Sequence, residues 1–173
     1  MSSELKIQKK STTLESTGLP LIDLDHNRLI ILLKYIIESL KKEKELKIIP
    51  KLAKYLEDGL EMHFLHEEEI MKTIQYLGYR HHSNEHLKIL NHCRKFFYHI
   101  NLKSCRQYLL ENFLNIYEKL EFHILHEDLK LKSFVEVQAI TAERVSNNFY
   151  IKFQNKNKMK NLKNICEVIC KKK

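Results

Sequence analysis

Turn-forming residues are almost absent from this chain, and their scarcity limits its possible folds more than any other feature of the sequence. Its 173 residues include only three glycines and two prolines, so few positions favour a turn or the end of a helix. Leucine, isoleucine, lysine and glutamate are abundant, and this balance favours long helices. The sequence therefore predicts an all-α protein that is long enough to bury a core, as one domain with or without an extension.

Apolar residues recur at steps of three and four over residues 21–131, which is the period of an α-helix. The pattern predicts four helices, with Asp23 or Asp25 capping the first and Gly78 ending the second. Their predicted bounds are roughly 21–45, 50–77, 80–100 and 104–131. Because the connections between them are short, consecutive helices should run antiparallel. We therefore predict an antiparallel up-down-up-down four-helix bundle.

The net charge of +8 belongs entirely to the last quarter of the chain. Residues 129–173 hold 11 of the 30 basic residues but only 3 of the 22 acidic ones, whereas residues 1–128 are neutral overall. Together with the helical pattern, this step in charge predicts three parts. They are an N-terminal arm over residues 1–21, the four-helix bundle over residues 22–132 and a basic C-terminal extension over residues 133–173.

The predicted extension has a weaker helical pattern than the bundle. Residues 133–145 suit a helix, and the sequence SNNF at residues 146–149 suggests a break. Leu162, Ile165 and Ile169 then form one stripe of a last amphipathic helix. The lysines suit an acidic protein or an anionic membrane surface as partner, and packing back on the bundle or in a dimer is the simpler alternative. No nucleic acid is expected as a partner, because no recognition motif accompanies the charge.

The sequence predicts a cytoplasmic protein with reduced thiols. No apolar run approaches the ~20 residues that span a bilayer, and the N-terminal sequence MSSELKIQKK lacks the apolar core of a signal peptide. The four cysteines form no CxxC pair, so free thiols are expected. Cys166 and Cys170 lie four residues apart and would share a helix face. A structural role for this pair is the simpler interpretation, and a response to oxidants is the alternative.

Five histidines and two carboxylates lie at heights along the predicted helices where they can meet. Two pairs of them are spaced by four residues, which places both members of a pair on one helix face. At a rise of ~1.5 Å per residue, the histidines of neighbouring helices lie at similar distances from the turn that joins those helices. All should therefore meet at one end of the bundle. These residues are His26, His63, Glu67, His82, His86, His123 and Asp128.

This set of side chains predicts a centre with two metal ions. Five neutral imidazoles and two carboxylates, with no thiolate, exceed the four ligands of a tetrahedral zinc ion and suit two first-row ions such as iron. Two six-coordinate irons offer about twelve positions. The imidazoles fill five, two bridging carboxylates fill four and a shared oxygen fills two. One position stays open for a small ligand.

The spacing of His123 and Asp128 constrains the geometry of the fourth predicted helix. His123 and Asp128 are five residues apart, and in a regular α-helix this spacing places them ~140° out of phase. Both point inward only if the helix widens between them, so we predict a π-bulge there. The remaining candidates are interpreted as solvated or supporting residues, and they are His66, His81, His92, His99, His126, Glu68 and Glu69.

Four stretches of the sequence resemble the motifs of a known family. GLPLIDLDHNRL, HFLHEEEIM, YLGYRHHSNEH and HILHED are similar to the hemerythrin and bacteriohemerythrin motifs G-x-x-x-I-D-x-x-H, H-F-x-x-E-E-x-x-M, Y-x(5)-H-x-x-x-H and H-x(4)-D, over residues 18–128. All seven ligand positions are filled in order. The chain departs from the family at Asp25, where glutamine or glutamate is common, at Leu77, where proline is usual, and in having no tryptophan.

The resemblance implies a non-haem di-iron centre with an oxo or hydroxo bridge that binds O2 reversibly. It implies that Glu67 and Asp128 bridge the two Fe ions. By the same resemblance, the fully coordinated iron is held by His82, His86 and His123, and the iron with the open position by His26 and His63. An apolar pocket for O2 would be lined by Phe64, Leu120 and Ile124.

Two functions fit such a centre. The first is reversible O2 binding for storage, delivery, sensing or scavenging, without enzymatic turnover. The alternative is a di-iron enzyme with peroxidase, oxidase or nitric-oxide-handling activity. Carboxylate-rich bundles that activate O2 carry E-x-x-H pairs, and none occurs in this sequence. That absence favours the first function.

Overall fold

Helices make up most of the part of the chain that the structure describes. The structure is a computed structural model that describes residues 15–42, 46–100, 105–153 and 157–171, with side chains from residue 160 onward in the last range. No strand occurs in these ranges, so the all-α prediction is confirmed. Most of the predicted arm, residues 1–14, lies outside the described residues. The helices are α1 (Pro20–Lys41), α2 (Ile49–Thr73), α3 (Tyr79–His99), α4 (Arg106–His123), α5 (Leu129–Val137), α6 (Ala139–Phe153) and α7 (Asn157–Cys170).

Helices α1 to α4 surround a common apolar core. Helix α1 packs against α2 and α4, and α3 packs against the same two helices, so the four helices form a closed ring. Leu29, Leu56 and Phe113 are among the fully buried side chains of this core, and burial of each contributes roughly 1.5–3 kcal/mol. These contacts show a helical bundle. The up-down-up-down order of its helices stays a prediction that the contacts support.

The start of α1 differs from the sequence prediction. Leu19 is the N-cap residue and Pro20 is the first helical residue, where the missing N–H of proline costs no helical hydrogen bond. Asp23 accepts hydrogen bonds from the backbone N–H and the hydroxyl of Thr17, both at 2.9 Å. Asp25 is buried inside the fold. The predicted aspartate cap is wrong, because both carboxylates have other partners.

Helix α2 ends about one turn earlier than predicted, and Gly78 is not its terminator. Gln75 adopts the left-handed conformation, with φ of 52°. Its N–H donates to the carbonyl of Lys72 at 3.2 Å, and the N–H of Tyr76 donates to the carbonyl of Met71 at 2.9 Å. This pair of bonds is a Schellman motif, which satisfies carbonyls at the helix end. Gly78 has φ of −80°, and a Cβ there would lie 2.6 Å from the Tyr76 ring. Its role is close packing.

Among the described residues beyond residue 132, helices α5, α6 and α7 account for nearly all of the chain, and α6 and α7 pack on the bundle. Helices α6 and α7 both contact α1 and α2. The predicted break at residues 146–149 is wrong, because α6 runs through them. Ser146 and Phe149 are buried there, and their contacts outweigh the weak helix propensity of serine and asparagine. Within the described ranges, no helix combines the length and the apolar character that crossing a membrane requires.

The apolar stripe of α7 is buried against the bundle. Leu162, Cys166 and Ile169 belong to the same core cluster as the residues of α1 and α2. A Cβ at Gly59 of α2 would lie 2.8 Å from a methyl group of Leu162, so the missing side chain lets the two helices approach closely. The exposed basic side chains are still predicted to bind an acidic protein or an anionic membrane surface. The boundaries of the three predicted parts also stay predictions. Lysines 156, 172 and 173 lie outside the described residues.

Candidate metal centre

All seven residues predicted as metal ligands meet in one buried cluster. Each of the four bundle helices contributes, and no member of the cluster is more than 2% exposed. The donor atoms form two groups, within each of which they lie no more than 4.8 Å apart, and the groups share Glu67 and Asp128. The imidazoles come from His26 of α1, His63 of α2, His82 and His86 of α3, and His123 of α4.

The first group contains three imidazoles. His82 Nε2 and His123 Nε2 each lie 3.0 Å from Oδ1 of Asp128. His86 Nε2 lies 3.2 Å from Oε2 of Glu67, and His82 Nε2 lies 3.5 Å from the same oxygen. Three ring nitrogens therefore surround one oxygen from each carboxylate.

The second group contains two imidazoles. His26 Nε2 lies 3.0 Å from Oδ2 of Asp128 and 3.7 Å from Oε1 of Glu67. His63 Nε2 lies 3.8 Å from the same Glu67 oxygen. These are the second oxygens of the two carboxylates that serve the first group. Each carboxylate thus presents one oxygen to each group, which is the arrangement expected of a ligand that bridges two metal ions.

The donor atoms of the cluster are spaced as the ligands of a metal ion would be. Neighbouring ligands at ~2.1 Å from an octahedral ion lie ~3.0 Å apart, in agreement with the shortest distances in the cluster. Buried polar atoms without partners are costly, so a cation fits these side chains. Among the described residues, no hydrogen-bond partner is present for the Nε2 atoms of His26, His63, His82 and His123 or for either carboxylate oxygen of Asp128.

Burial and the two carboxylates set the protonation of the cluster in opposite directions. Burial lowers the pKa of His26 and His82, but contacts with Asp128 and Glu67 outweigh it and raise each pKa to about 10. Burial lowers the pKa of His63 to about 4. Burial also acts to raise the pKa of Glu67, yet the neighbouring histidines hold it well below its usual value. Without a cation, protons on two imidazoles therefore compensate the carboxylates, and a bound cation would displace them.

A π-helical segment at the end of α4 brings two of these residues into phase. It covers Ile124–Asp128 and joins α4 to α5. The wider turn allows His123 and Asp128 to point inward together, and their Nε2 and Oδ1 atoms meet at 3.0 Å. The predicted π-bulge is confirmed. In this case, the spacing of two side chains predicted an irregularity of the backbone.

An apolar wall lies beside the cluster. Phe64, Leu120 and Ile124 are each no more than 1% exposed and share one core cluster. The Phe64 ring stacks on the imidazole of His86, with centroids 4.0 Å apart and planes 13° apart. It also lies 5.5 Å from the ring of His63. The apolar surroundings are therefore present, and the role of these three residues in lining an O2 pocket stays a prediction.

Two side chains beside the cluster, Glu68 and His66, make polar contacts with their neighbours. Glu68 Oε1 lies 3.1 Å from Nδ1 of His86, and such a contact orients a ligand imidazole. Glu69, the next residue, is exposed. His66 is fully buried and contacts Asp25 and Ser146. The sequence allowed a solvated or supporting role for His66, but it carried no signal for the partner of His66 in α6, which is 80 residues away.

Comparison with known proteins agrees with this geometry. No curated protein and no solved structure gives a significant match to the chain. The sequence model of the hemerythrin HHE cation binding domain matches residues 17–135. This range includes every residue of the cluster, and the domain is one that binds metal cations. The chain therefore belongs to the hemerythrin HHE cation-binding domain family.

Proposed function

We propose that this protein holds two iron ions in the cluster and binds O2 reversibly at one open position, and so stores, delivers, senses or scavenges O2. The observation that carries the proposal is the unequal division of the imidazoles. Three lie with one pair of carboxylate oxygens and two lie with the other pair. If two six-coordinate ions share one oxo or hydroxo bridge, the first group completes a coordination shell and the second is one ligand short.

The chemistry of the ligands supports iron. Imidazole nitrogens and carboxylate oxygens without thiolate suit first-row ions that take six ligands, whereas a structural zinc ion takes four. The cation-binding character of the family supports a metal at this place. Iron in the centre would supply electrons to O2 and recover them when O2 leaves.

The surrounding side chains would hold the ions and exclude water. Glu67 and Asp128 reach both groups of imidazoles, so they would fix the separation of the two ions. Phe64, Leu120 and Ile124 present buried apolar surface beside the cluster, and such surface does not hold ordered water. A dry site limits the protons that irreversible reduction of O2 requires. This supports reversible binding over turnover.

We propose binding rather than catalysis for this protein. The alternative is a di-iron enzyme with peroxidase, oxidase or nitric-oxide-handling activity. The sequence lacks the E-x-x-H pairs of carboxylate-rich bundles that activate O2, and the imidazole-rich cluster is consistent with that difference. Both functions need the same two ions, so only a measurement of turnover separates them.

The experiment combines metal analysis with optical spectra under nitrogen and then under air. We expect two irons per chain and an absorption band that appears with O2, disappears when O2 is removed and returns over repeated cycles. His63→Ala should lose the band, because it removes one of the two imidazoles of the second group. His81→Ala is the matched control, since the side chain of His81 is 66% exposed, and it should behave like the parent protein.

Two results would contradict the proposal. One is a protein that holds a single zinc ion and does not respond to air. The other is sustained consumption of peroxide, nitric oxide or O2 with a reductant at catalytic rates, which would favour the enzyme.

We propose the cytoplasm as the place where this protein works. The support is that all four of its cysteines are free thiols in the structure. Disulfides form mainly in oxidising compartments.

A further inference from the structure

We propose that α6 and α7 form a fixed cover over the His26–His63 half of the metal centre, and that Asp25, His66 and Ser146 are positioning residues for that half. The inference rests on the proposed function in one respect, because this half is the one with the open position. Both helices lie beyond residues 17–135, the range of the family match. The cover is therefore a feature of this chain in addition to the domain it shares with the family.

The cover lies on the two helices that carry the second group of imidazoles. Helices α6 and α7 both pack against α1 and α2, which supply His26 and His63. Leu162 of α7 is buried beside Gly59 of α2, which lies about one turn before His63 along the helix. The cover thus contacts the backbone that holds this half of the centre.

Two contacts between side chains of α1 and α2 lie next to each other, one inside the metal centre and one beside it. In the centre, His26 Nε2 faces Oε1 of Glu67 at 3.7 Å. One residue earlier on each helix, His66 Nδ1 lies 3.5 Å from Oδ2 of Asp25. Both of these side chains are buried. Because each is the direct neighbour of a ligand residue, the contact between them fixes how the two helices are rotated at the level of the ligands.

Helix α6 completes this link by holding His66. Ser146 Oγ lies 2.9 Å from Nε2 of His66. The Phe149 ring stacks on the same imidazole, with centroids 4.5 Å apart and planes 4° apart. Ser146 and Phe149 are three residues apart and so share a face of α6. Both ring nitrogens and one face of His66 are therefore held.

Arg28 contacts both cover helices and the second carboxylate oxygen of Asp25. Its guanidinium lies 3.4 Å from Oδ1 of Asp25 and donates a hydrogen bond to the hydroxyl of Tyr150 in α6 at 2.7 Å. The thiol of Cys166 in α7 donates to the backbone carbonyl of Arg28 at 3.3 Å. Arg28 is two residues after His26. Both cover helices thus meet α1 within one turn of a ligand.

The two halves of the centre depend on different supports. Removing the Ser146 hydroxyl would leave a buried ring nitrogen of His66 without its partner, which is costly. His66 would then shift, and its contact with Asp25 would change. Asp25 directly precedes His26, which belongs to the second group only. His86 of the first group is instead supported by Glu68 within the bundle, at 3.1 Å. A change in the cover should therefore affect one ion more than the other.

The experiment is a titration of the full-length, metal-free protein with cobalt(II), followed by optical absorption. This readout reports coordination and does not depend on O2. We expect two binding steps, one of which His63→Ala abolishes and thereby identifies as the second group. Ser146→Ala should weaken that step by about 10-fold or more and leave the other within about twofold, as is typical of residues that orient a ligand. Ser146→Thr keeps the hydroxyl and should restore the affinity.

Three further variants complete the design. Ser133→Ala removes an exposed hydroxyl from α5 and should change neither step. Glu68→Gln weakens the support of His86 and should lower the affinity of the other step. Asp25→Asn tests the same network from α1, and it takes the place of Ser146→Ala if that variant does not fold.

The inference is overturned if Ser146→Ala and Asp25→Asn leave both steps unchanged or weaken both equally, since the network would then have no specific effect on this half. A single cobalt step in the parent protein would contradict the two-ion centre of the proposed function. In that case the proposed role of the cover would be supported only if Ser146→Ala still weakens the step that His63→Ala abolishes, and it would otherwise be overturned.

Discussion

At the residue scale, three consecutive glutamates in the stretch HFLHEEEIM have three different environments. Glu67 is buried between the two groups of imidazoles, Glu68 supports His86 from the edge, and Glu69 is exposed. Consecutive residues of a helix point ~100° apart, so only one residue of the run faces the centre. The helical period, rather than the residue type, determines which carboxylate can serve as a ligand.

Glu67→Gln and Glu69→Gln test this difference directly. We expect Glu67→Gln to lower metal affinity by about 100-fold or more, because it removes the charge of a carboxylate shared by both groups, a larger change than loss of a supporting residue. Glu69→Gln removes the same charge from an exposed position and should leave the affinity unchanged. The measurement is metal content after gel filtration, together with calorimetric titration. An affinity of Glu67→Gln for metal equal to that of the parent protein would contradict a bridging role.

The four thiols should differ widely in reactivity. Burial raises the pKa of Cys93 to about 12 and that of Cys166 to about 11, whereas Cys105 and Cys170 are exposed. At pH 8, a thiol with a pKa of about 12 is ionised in ~1 molecule in 10,000, and the thiolate is the reactive form. We expect iodoacetamide to label Cys105 and Cys170 rapidly and the other two slowly, as measured by mass spectrometry of peptides. Rapid labelling of Cys166 would mean that α7 separates from the bundle.

The clustering of the seven residues could be predicted, whereas the contact that holds His66 from α6 could not. Metal chemistry restricts the ligands to a few residue types, and the helical period restricts their spacing, so both constraints are visible in the sequence. Ser146 is an ordinary serine that matters because α6 places it 2.9 Å from His66. No local pattern encodes that distance, since it depends on how α6 packs against α2.

At the element scale, helix interiors could be predicted more reliably than helix ends. Apolar periodicity predicted α1 to α4, because each turn of a helix with an apolar stripe is stabilised by burial of that stripe. The end of α2 was predicted at Gly78, but Gln75 takes the left-handed position and the carbonyls of Met71 and Lys72 are satisfied there. The same limit applies to SNNF in α6, where tertiary contacts of Ser146 outweigh local propensity.

The π-helical segment can be tested by deletion. Removal of Leu125, an exposed residue inside the segment, leaves the His123 and Asp128 side chains four residues apart, ~40° out of phase in a regular α-helix. Both should still point inward, so we expect this variant to keep two metal ions, with affinity reduced by about 10-fold because the separation of the ligands changes.

Deletion of Lys119, an exposed residue of α4, is the matched control. Because His123 and Asp128 follow this position, the deletion rotates both by ~100° relative to the preceding part of the helix. It should therefore abolish binding of both ions. Metal content and helix content by circular dichroism are measured for both variants. Equal loss of metal from the two would show that the segment does more than bring His123 and Asp128 into phase.

At the scale of the whole molecule, the scarcity of glycine and proline together with the abundance of helix-forming residues predicts an all-α fold, whereas the position of the extension could not be predicted. The apolar stripe of α7 could be buried in a membrane, in a partner or on its own bundle, and each choice satisfies the same periodicity. In the structure, Leu162 is buried beside Gly59. Glycine inside a helix is less stable than alanine by roughly 1 kcal/mol. Packing of the cover accounts for glycine at this position.

The buried charge of the cluster makes the stability of the metal-free protein depend on pH. His26 and His82 have pKa values raised from 6.5 to about 10 in the fold, so between these values the folded state binds more protons than the unfolded state. The stabilisation that these protons provide is fully present below pH ~6.5 and is lost as the pH rises through ~10. We expect the free energy of unfolding of the metal-free protein to fall from pH 7 to pH 10, as measured by urea denaturation.

Asp128→Asn is the control for this pH dependence. Asp128 contacts both His26 and His82 at 3.0 Å and helps to raise both pKa values, so its replacement by an uncharged amide should flatten the curve over the same range. Metal affinity of the parent protein should rise with pH, because each ion displaces protons from its imidazole ligands. A metal-free protein whose stability stays level or increases from pH 7 to pH 10 would show that protons on these imidazoles do not balance the buried carboxylates.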